Sequence, residues 1–360
     1  MSKIAIIGGG VAGLLAALEL QKRDFHIDIF DQNFLQGNLG FGFLLMPNGV
    51  NALKEMGHWK AIENWVTPAQ QVITMNDAQE IKNITPVDNV FGISRTQFLQ
   101  SLSNHIQSNV TYFQDYVSIN DQRQLTYGGI PFPLEKYDWI LGCDGSHSAV
   151  RKYLFPDAET IDAPTYEING SYYDETFCAQ NAGSLIKIIF DEPGIAVGFL
   201  PLKTGQVIYY VQLAKRLYPE PTRNADLATF TQELLSKYKH PWIQNLIQNH
   251  VHTPYLWRGK ILFGVDQYVV DNMVLMGDAA HIALPFTSQG TNLAIEDVLS
   301  FTTTHDIISN KSEVALAHFN NRRADCERIA FEGMEYAHLF ATEPSDFMIQ
   351  HVPLAFDQHS

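Results

Sequence analysis

Lys3-Ile4-Ala5-Ile6-Ile7-Gly8-Gly9-Gly10-Val11-Ala12-Gly13-Leu14-Leu15 sets the reading of the whole chain. A short apolar run stops at glycines, as a buried parallel strand does. A helix follows, with Leu14, Leu15 and Leu18 at helical spacing. Ile27-Asp28-Ile29-Phe30 then reads as a second strand, which completes a βαβ start. Gly8-x-Gly10-x-x-Gly13 therefore lies between strand and helix, the context this motif requires. Gly8 permits the tight turn, Gly10 lets the backbone approach a pyrophosphate, and Gly13 lets helix and strand pack closely. The helix N-terminus offers free N–H groups and a partial positive charge to phosphates. Asp31 ends the second strand, 18 positions after Gly13. A carboxylate near that offset binds adenosine ribose hydroxyls. These residues specify a dinucleotide and do not separate FAD from NAD.

Three later stretches extend the pattern. Met273-Val274-Leu275-Met276-Gly277-Asp278-Ala279-Ala280-His281 is a buried strand that delivers Gly277 and Asp278 to its C-terminal end, where ligands bind in open α/β sheets. Asp278 suits a flexible polyol such as ribityl, and His281 reads as structural. Gly290, Thr291 and Asn292 then open a helix whose N-terminus would face the flavin N1 and C2 carbonyl, where reduced flavin carries negative charge. Tyr137 to Gly145 is an apolar strand ending in the turn Asp144-Gly145, with Ser148 as an expected N-cap and Arg151 just beyond. Arg95, in Ile93-Ser94-Arg95, stands between these pieces.

The segment from about 163 to 211 differs. Apolar–polar alternation, aromatics and turns at 181–183, 191–194 and 203–205 predict an antiparallel sheet of hairpins. The fold class is thus α/β: a discontinuous Rossmann-type cofactor domain with an inserted antiparallel substrate sheet and C-terminal helices. The expected divisions are 1–72, 93–162 and 262–335 for the cofactor domain, 73–92 and 163–261 for the substrate domain, and 336–360 for a C-terminal tail. A helix is expected from Ser312 to Tyr336.

Composition narrows the function. A net charge of −15 argues against binding a phosphate backbone, which needs clustered Lys and Arg. The three cysteines, Cys143, Cys178 and Cys326, form no C-x-x-C pair and no metal pattern. That excludes a disulfide reductase and fits a reducing cytoplasm. Residues 4–20 contain glycines and Glu19 and do not read as a signal peptide or a membrane span. A monomer or homodimer is expected.

Gly8 to Gly13, Cys143-Asp144-Gly145 with Ser148-Ala149-Val150-Arg151, and Gly277 to His281 closely resemble the single-component FAD-dependent monooxygenases of the para-hydroxybenzoate hydroxylase fold. Leu200-Pro201-Leu202 and Arg322-Arg323 are similar to that family too, and the match runs from about residue 1 to 330. The resemblance implies FAD as cofactor and NAD(P)H as a transient reductant. It implies that Asp31 and Asp278 bind the adenosine ribose and the ribityl–pyrophosphate region. Arg95 would contact the flavin, and Asp144 and Gly145 would serve FAD and NAD(P)H. A flavin C4a-hydroperoxide would hydroxylate the substrate, so no dedicated catalytic acid, base or metal is expected; the protein positions substrate and excludes water.

Two departures stand out. Relatives often carry an Arg after the second strand, but none occurs here between Arg23 and Arg95, where Lys54 and Lys60 are the candidate substitutes. Relatives also often have two prolines near the flavin, where this chain has Leu284-Pro285. A flavin-dependent halogenase is one alternative, but the five tryptophans form no W-x-W pair. A non-catalytic flavin-binding accessory protein is the other. Phe199, Pro201, Tyr209, Pro285 and Phe286 are the expected pocket linings, an apolar wall suited to a flat aromatic substrate.

Overall fold

The computed structural model describes residues 2–23, 25–33, 41–222, 225–249, 254–303 and 313–350. The chain opens with β1 (Lys3–Ile7), α1 (Val11–Leu20) and β2 (His26–Phe30). β3 (Gly42–Leu45), α2 (Pro47–Glu55), α3 (Trp59–Ile62), β4 (Thr67–Met75), β5 (Ile81–Ser94) and α4 (Arg95–Ser103) follow. Next come β6 (Val110–Phe113), β7 (Val117–Ile119), β8 (Leu125–Tyr127), β9 (Ile130–Pro131), β10 (Trp139–Gly142) and α5 (Ala149–Leu154). The middle holds β11 (Glu159–Tyr173), α6 (Glu175–Gln180), β12 (Ser184–Ile189), β13 (Ile195–Pro201), β14 (Gln206–Ala214), α7 (Leu227–Leu235), α8 (Pro241–Asn249) and β15 (Tyr255–Phe263). The end holds β16 (Val269–Val270), β17 (Met273–Leu275), α9 (Gly290–Thr303), α10 (Glu313–Thr342) and α11 (Ser345–Gln350).

Two main sheets organise these elements. The first has the order β16-β17-β10-β1-β2-β6, parallel except for the edge strand β16. Its central strands come from sequence-distant segments, so the cofactor-type sheet is assembled discontinuously. β1 and α1 are almost wholly buried, because helices cover both faces of a parallel sheet. α1 packs on α9 and on the sheet, which explains why its sequence is apolar nearly all round.

The second sheet has eight strands, ordered β15-β11-β14-β13-β12-β4-β5-β3. The hairpin turns fall where expected, with Gly183, Gly194 and Gly205 at φ near +77°, +72° and +82°. One pairing departs from the expected antiparallel pattern: β12 runs parallel to β4, because these strands come from different segments of chain. The sheet also recruits β3 and residues 67–72 of β4, which the sequence reading left with the cofactor domain. It curls: β3 and β5 return over its own face, where a Cβ on Gly42 would sit 2.2 Å from Ile208 and one on Gly92 would sit 2.6 Å from Leu200. One face packs on α6, α7 and α8 around Tyr172, Phe177, Leu235 and Tyr238. The other faces inward, toward the 285–287 turn and α10.

Among the described residues no helix is long and apolar enough to cross a membrane. α10 runs to Thr342, beyond the expected end at Tyr336, and α11 (Ser345–Gln350) follows after a break at Glu343 and Pro344. Residues 351–360 of the expected tail lie outside the described residues.

Candidate cofactor and substrate site

The first nucleotide loop is built by three glycines with different tasks. Gly8 has φ +100°, and a Cβ there would lie 2.3 Å from the Cys143 carbonyl oxygen at the end of the neighbouring strand. A Cβ on Gly13 would lie 1.9 Å from the Gly8 oxygen, so the helix rests directly on the turn. Gly10 has an open face: its nearest neighbour is the Arg95 guanidinium, 3.7 Å from a Cβ position. α1 starts there with no side-chain cap. Asp31 Oδ2 accepts from Gly9 N at 2.6 Å, and Oδ1 accepts from Asn33 N at 2.7 Å. This pins the carboxylate beside the loop with lone pairs to spare.

Gly277 bends the chain after β17 with φ +57°. A network behind it holds the bend. Asp297 Oδ2 accepts from Gly277 N at 2.8 Å and pairs with His281 Nε2 at 2.7 Å, while Arg322 Nε donates to Oδ1 at 3.0 Å. Burial raises the Asp297 carboxyl, but His281 and Arg322 prevail and hold it down at about 2. His281 is thus structural, as expected. His281, Asp297 and Cys326 bring ligand-type atoms within 4.8 Å of one another. Arg322 and the Gly277 N–H already supply donors to both Asp297 oxygens, so the cluster works as an ion-paired brace. Asp297 and Arg322 were not singled out as site supports. The spacing of an acid 16 residues after His281 carries no local signal for this pairing.

A second brace comes from Arg151, which is buried. Its Nη1 donates to the Asp278 and Ala279 carbonyls, both at 3.0 Å, and its Nη2 donates to Ser146 O at 2.5 Å. The turn after β10 and the turn after β17 are thereby tied together. Ser148 caps α5 as expected, accepting from Arg151 N at 2.9 Å.

The structure brings Asp31, Arg95 and Asp278 together around Gly10. Burial lowers the Arg95 pKa, and the charges of Asp278 and Asp31 oppose that shift. Asp278 is reached by solvent, yet protein surrounds it closely enough that desolvation raises its pKa against the pull of His281, Arg95 and Arg151. Neither the Asp278 carboxylate nor the Arg95 guanidinium hydrogen-bonds to a described residue through its side chain, and Asp278 is not a helix cap. An open glycine face, an uncapped helix N-terminus, an unpartnered cation and an unpartnered carboxylate suit a ligand with a diphosphate and a polyol, as FAD has.

Two expected cofactor contacts are placed otherwise. The Asp144 carboxylate turns into the protein, accepting from Ser148 Oγ at 2.5 Å and from Ala149 N at 2.7 Å. Helix capping occupies it, while Gly145, with φ +74°, forms the turn. The Asn292 side chain, fully buried, accepts from Met46 N at 2.9 Å and donates to Leu44 O and Ser288 O. It clamps β3 and α2 to α9, with both side-chain polar atoms bonded to protein. Gly290 and Thr291 remain at the start of α9. Lys54 lies exposed, with its ammonium 5.2 Å from the Trp59 ring centroid.

The pocket linings require a correction. Phe199 and Tyr209 lie on the far face of the second sheet, packed with Tyr172 and Phe177 under α7 and α8. Pro201 shares the parity of Phe199. Successive side chains alternate faces, so the inward residues are Leu200, Ile208 and Tyr210 instead. The sequence around 199–210 is apolar on both faces, and alternation alone does not say which face is inside. Phe286 does face inward, 5.9 Å from Phe340 between ring centroids, and Pro285 begins that turn.

With this geometry in hand, a family profile described as an FAD binding domain matches residues 1–304. The chain is 24% identical to a 6-methylsalicylate 1-monooxygenase of Aspergillus terreus, covering 89% of this chain and 78% of that protein. It is 23% identical to a 3-amino-4-hydroxybenzoate 2-monooxygenase of Streptomyces cremeus, covering 94% and 88%. In structure it is similar to Klebsiella pneumoniae HpxO complexed with FAD and uric acid, with a TM-score of 0.78 at 18% identity over 97% of this chain and 91% of that one.

Proposed function

This chain belongs to the FAD binding domain family, and from that premise we propose that it is a single-component monooxygenase that hydroxylates an aromatic small molecule with NAD(P)H and O2. It is an FAD-dependent enzyme. The observation that carries the cofactor assignment is the meeting of Asp31, Arg95 and Asp278 around the open face of Gly10. Asp31 takes the adenosine ribose, the start of α1 takes the diphosphate, and Asp278 takes the ribityl chain. Gly290 and Thr291 present the α9 N-terminus to the electron-rich edge of the ring. The cofactor domain comprises the three segments that build the parallel sheet, and the curled sheet is the substrate domain.

FAD held by Asp31, the start of α1 and Asp278 would supply the redox chemistry between NAD(P)H and O2. The protein supplies the chamber. The concave face of the second sheet, closed by β3, β5 and the 285–287 turn, shields reacting atoms from water. Leu200 and Ile208 line its apolar part, and the Tyr210 hydroxyl orients a substrate through a hydrogen bond. The relatives named for their substrates act on salicylates and hydroxybenzoates, which fits an aromatic ring here. Halogenation gains no support from them.

Labelled O2 tests the reading. A panel of aromatic acids and phenols is expected to contain a compound that accelerates NAD(P)H oxidation, with one labelled oxygen in the product. Label entering from water, chloride in the product, or a panel that leaves oxidation at its basal rate rejects monooxygenation.

A further inference from the structure

The inward face of the second sheet holds a buried ammonium that, among the described residues, no carboxylate touches. Strand register sets Lys187, Gly198, Tyr210 and Asn169 in one row across β12, β13, β14 and β11. Gln212 and Glu167 face each other in the next row. Lys187 is only 8% exposed. Its Nζ donates to Gln212 Oε1 at 3.2 Å, and Gln212 Nε2 donates to Glu167 Oε1 at 2.8 Å. The nearest acid is thus held one amide away. The other surroundings of the ammonium are rings: Phe286 at 5.8 Å and Phe340 at 5.7 Å. An ammonium has three donors, and among the described residues a single hydrogen bond uses one of them.

A buried charge is costly unless it is paired, and an apolar side chain in its place would serve stability better. A stabilising role therefore does not explain Lys187. The neighbouring Tyr210 points the same way. A Cβ on Gly198 would lie 2.1 Å from Tyr210 Cζ, so glycine alone allows the phenol to lie across β13 toward the strand of Lys187. The Tyr210 hydroxyl makes no hydrogen bond to a described residue, whereas Glu167 is satisfied by Gln212 and Asn169.

We propose that Lys187, with Tyr210 beside it, is the anion-recognition residue of the substrate chamber, and that the substrate is an aromatic acid whose carboxylate completes this site. Glu167 is a positioning residue that acts through Gln212. The proposal rests on the monooxygenase reading only in taking the concave face as the place where substrate binds.

The titration behaviour has a definite sign. Burial pulls the Lys187 pKa down to about 8, and the charge of Glu167 opposes the shift. Glu167 is the described charged group that acts on it; the 285–287 turn and α10 present the Phe286 and Phe340 rings. The ammonium is fully charged below that value and loses its charge as pH rises through it. Burial also raises the Glu167 carboxyl to about 7, so affinity for a carboxylate is highest below about pH 7, where Glu167 is neutral and Lys187 charged, and falls about tenfold per unit above about pH 8. Affinity for a neutral analogue does not follow this profile.

The test uses holoenzyme and a matched pair, 2-hydroxybenzoate and 2-hydroxybenzamide. Binding is read from perturbation of the flavin spectrum and by calorimetry, from pH 6 to 10. The acid is expected to bind at least tenfold tighter than the amide, with the preference lost above about pH 8. Lys187→Met erases the preference. Glu167→Gln lowers the pH midpoint, which a merely structural residue would not do. Lys187→Met with Glu167→Gln removes both charges together and keeps the test open should the single variant misfold. Equal affinity for acid and amide, a preference that survives Lys187→Met, or binding of neither compound overturns the proposal. FAD content and basal NAD(P)H oxidation of the same preparations report on the monooxygenase reading separately.

Discussion

Arg151→Met removes one guanidinium and keeps most of the side-chain volume, so it isolates the clamp between the two turns at the cofactor site. The wild-type side chain donates to three carbonyls, at Asp278, Ala279 and Ser146. Hydrogen bonds from a charged donor are worth about 1.5–3 kcal/mol each. Relief of the buried charge offsets part of the loss, leaving a net destabilisation of about 2–4 kcal/mol. At roughly 2.1 cal/mol/K of unfolding entropy per residue, a 360-residue chain loses about 3–5 °C in Tm. The effect on the cofactor should be larger in proportion. Without the clamp Asp278 loses its fixed position, and forfeiting one charge-assisted contact weakens FAD roughly tenfold to a hundredfold. Titrating FAD into apoprotein gives the dissociation constant, and tryptophan fluorescence on heating gives Tm. A Tm loss with FAD affinity changed less than twofold would show that Arg151 supports the fold and not the site. No change in either would refute the clamp.

Asp278→Asn should oppose stability and function to each other. Its carboxyl is raised by desolvation, so the apoprotein is destabilised as pH rises from the ordinary carboxylate value of 3.8 toward the folded value. At pH 7 the Asn apoprotein should melt higher than wild type while binding FAD about ten- to a hundredfold more weakly; a lower melting point contradicts the burial argument. Asp297 has the opposite sign: its folded value of about 2 gives stability that is present above 3.8 and lost as pH falls through about 2. Asp297→Asn should flatten that acid limb in denaturant titrations, and an unchanged limb would place the acid sensitivity elsewhere. Tyr210→Phe should weaken aromatic ligands severalfold in spectral titration, whereas Tyr209→Phe should not, and should be neutral or stabilising because its buried hydroxyl has no partner among the described residues. The reverse result would mean that the assigned faces of β14 are exchanged.

The cofactor half of the molecule was legible because its constraints are local. Gly8, Gly10 and Gly13 act within one turn, and Asp31 and Asp278 follow strands that announce themselves by apolar runs. The substrate half was not, for two physical reasons. β13 and β14 are buried on both faces, so a period of two gives the strands without saying which residues look inward. Phe199 and Tyr209 pack the outer layer under α7 and α8 while their neighbours Leu200 and Tyr210 face inward, a choice that strand parity makes and residue type does not. The parallel pairing of β12 with β4 is a long-range choice that no local signal encodes.

Asp144 and Asn292 show a second limit of the sequence. Both residue types occur at ligand sites, and both here sit within a few positions of the cofactor loops. What separates them from Asp278 and Arg95 is hydrogen-bond satisfaction. Asp144 caps α5 and Asn292 spans β3, α2 and α9, so each has protein partners for its polar atoms. Asp278 and Arg95 have the residue chemistry to bond strongly, stand around an open glycine face, and have side chains that bond to nothing described. Lack of partners alone does not suffice, since the Tyr172 and Tyr209 hydroxyls also lack them deep in the outer core. Those two hydroxyls are neutral and sealed by packing, at a modest cost. Lys187 differs from both in carrying a charge, and the cost of leaving a buried charge without a counter-ion is what directs attention to a ligand there. Satisfaction depends on the whole fold and so cannot be read along the chain. It sorts polar residues near these loops into those that hold the site and those that hold its ligands.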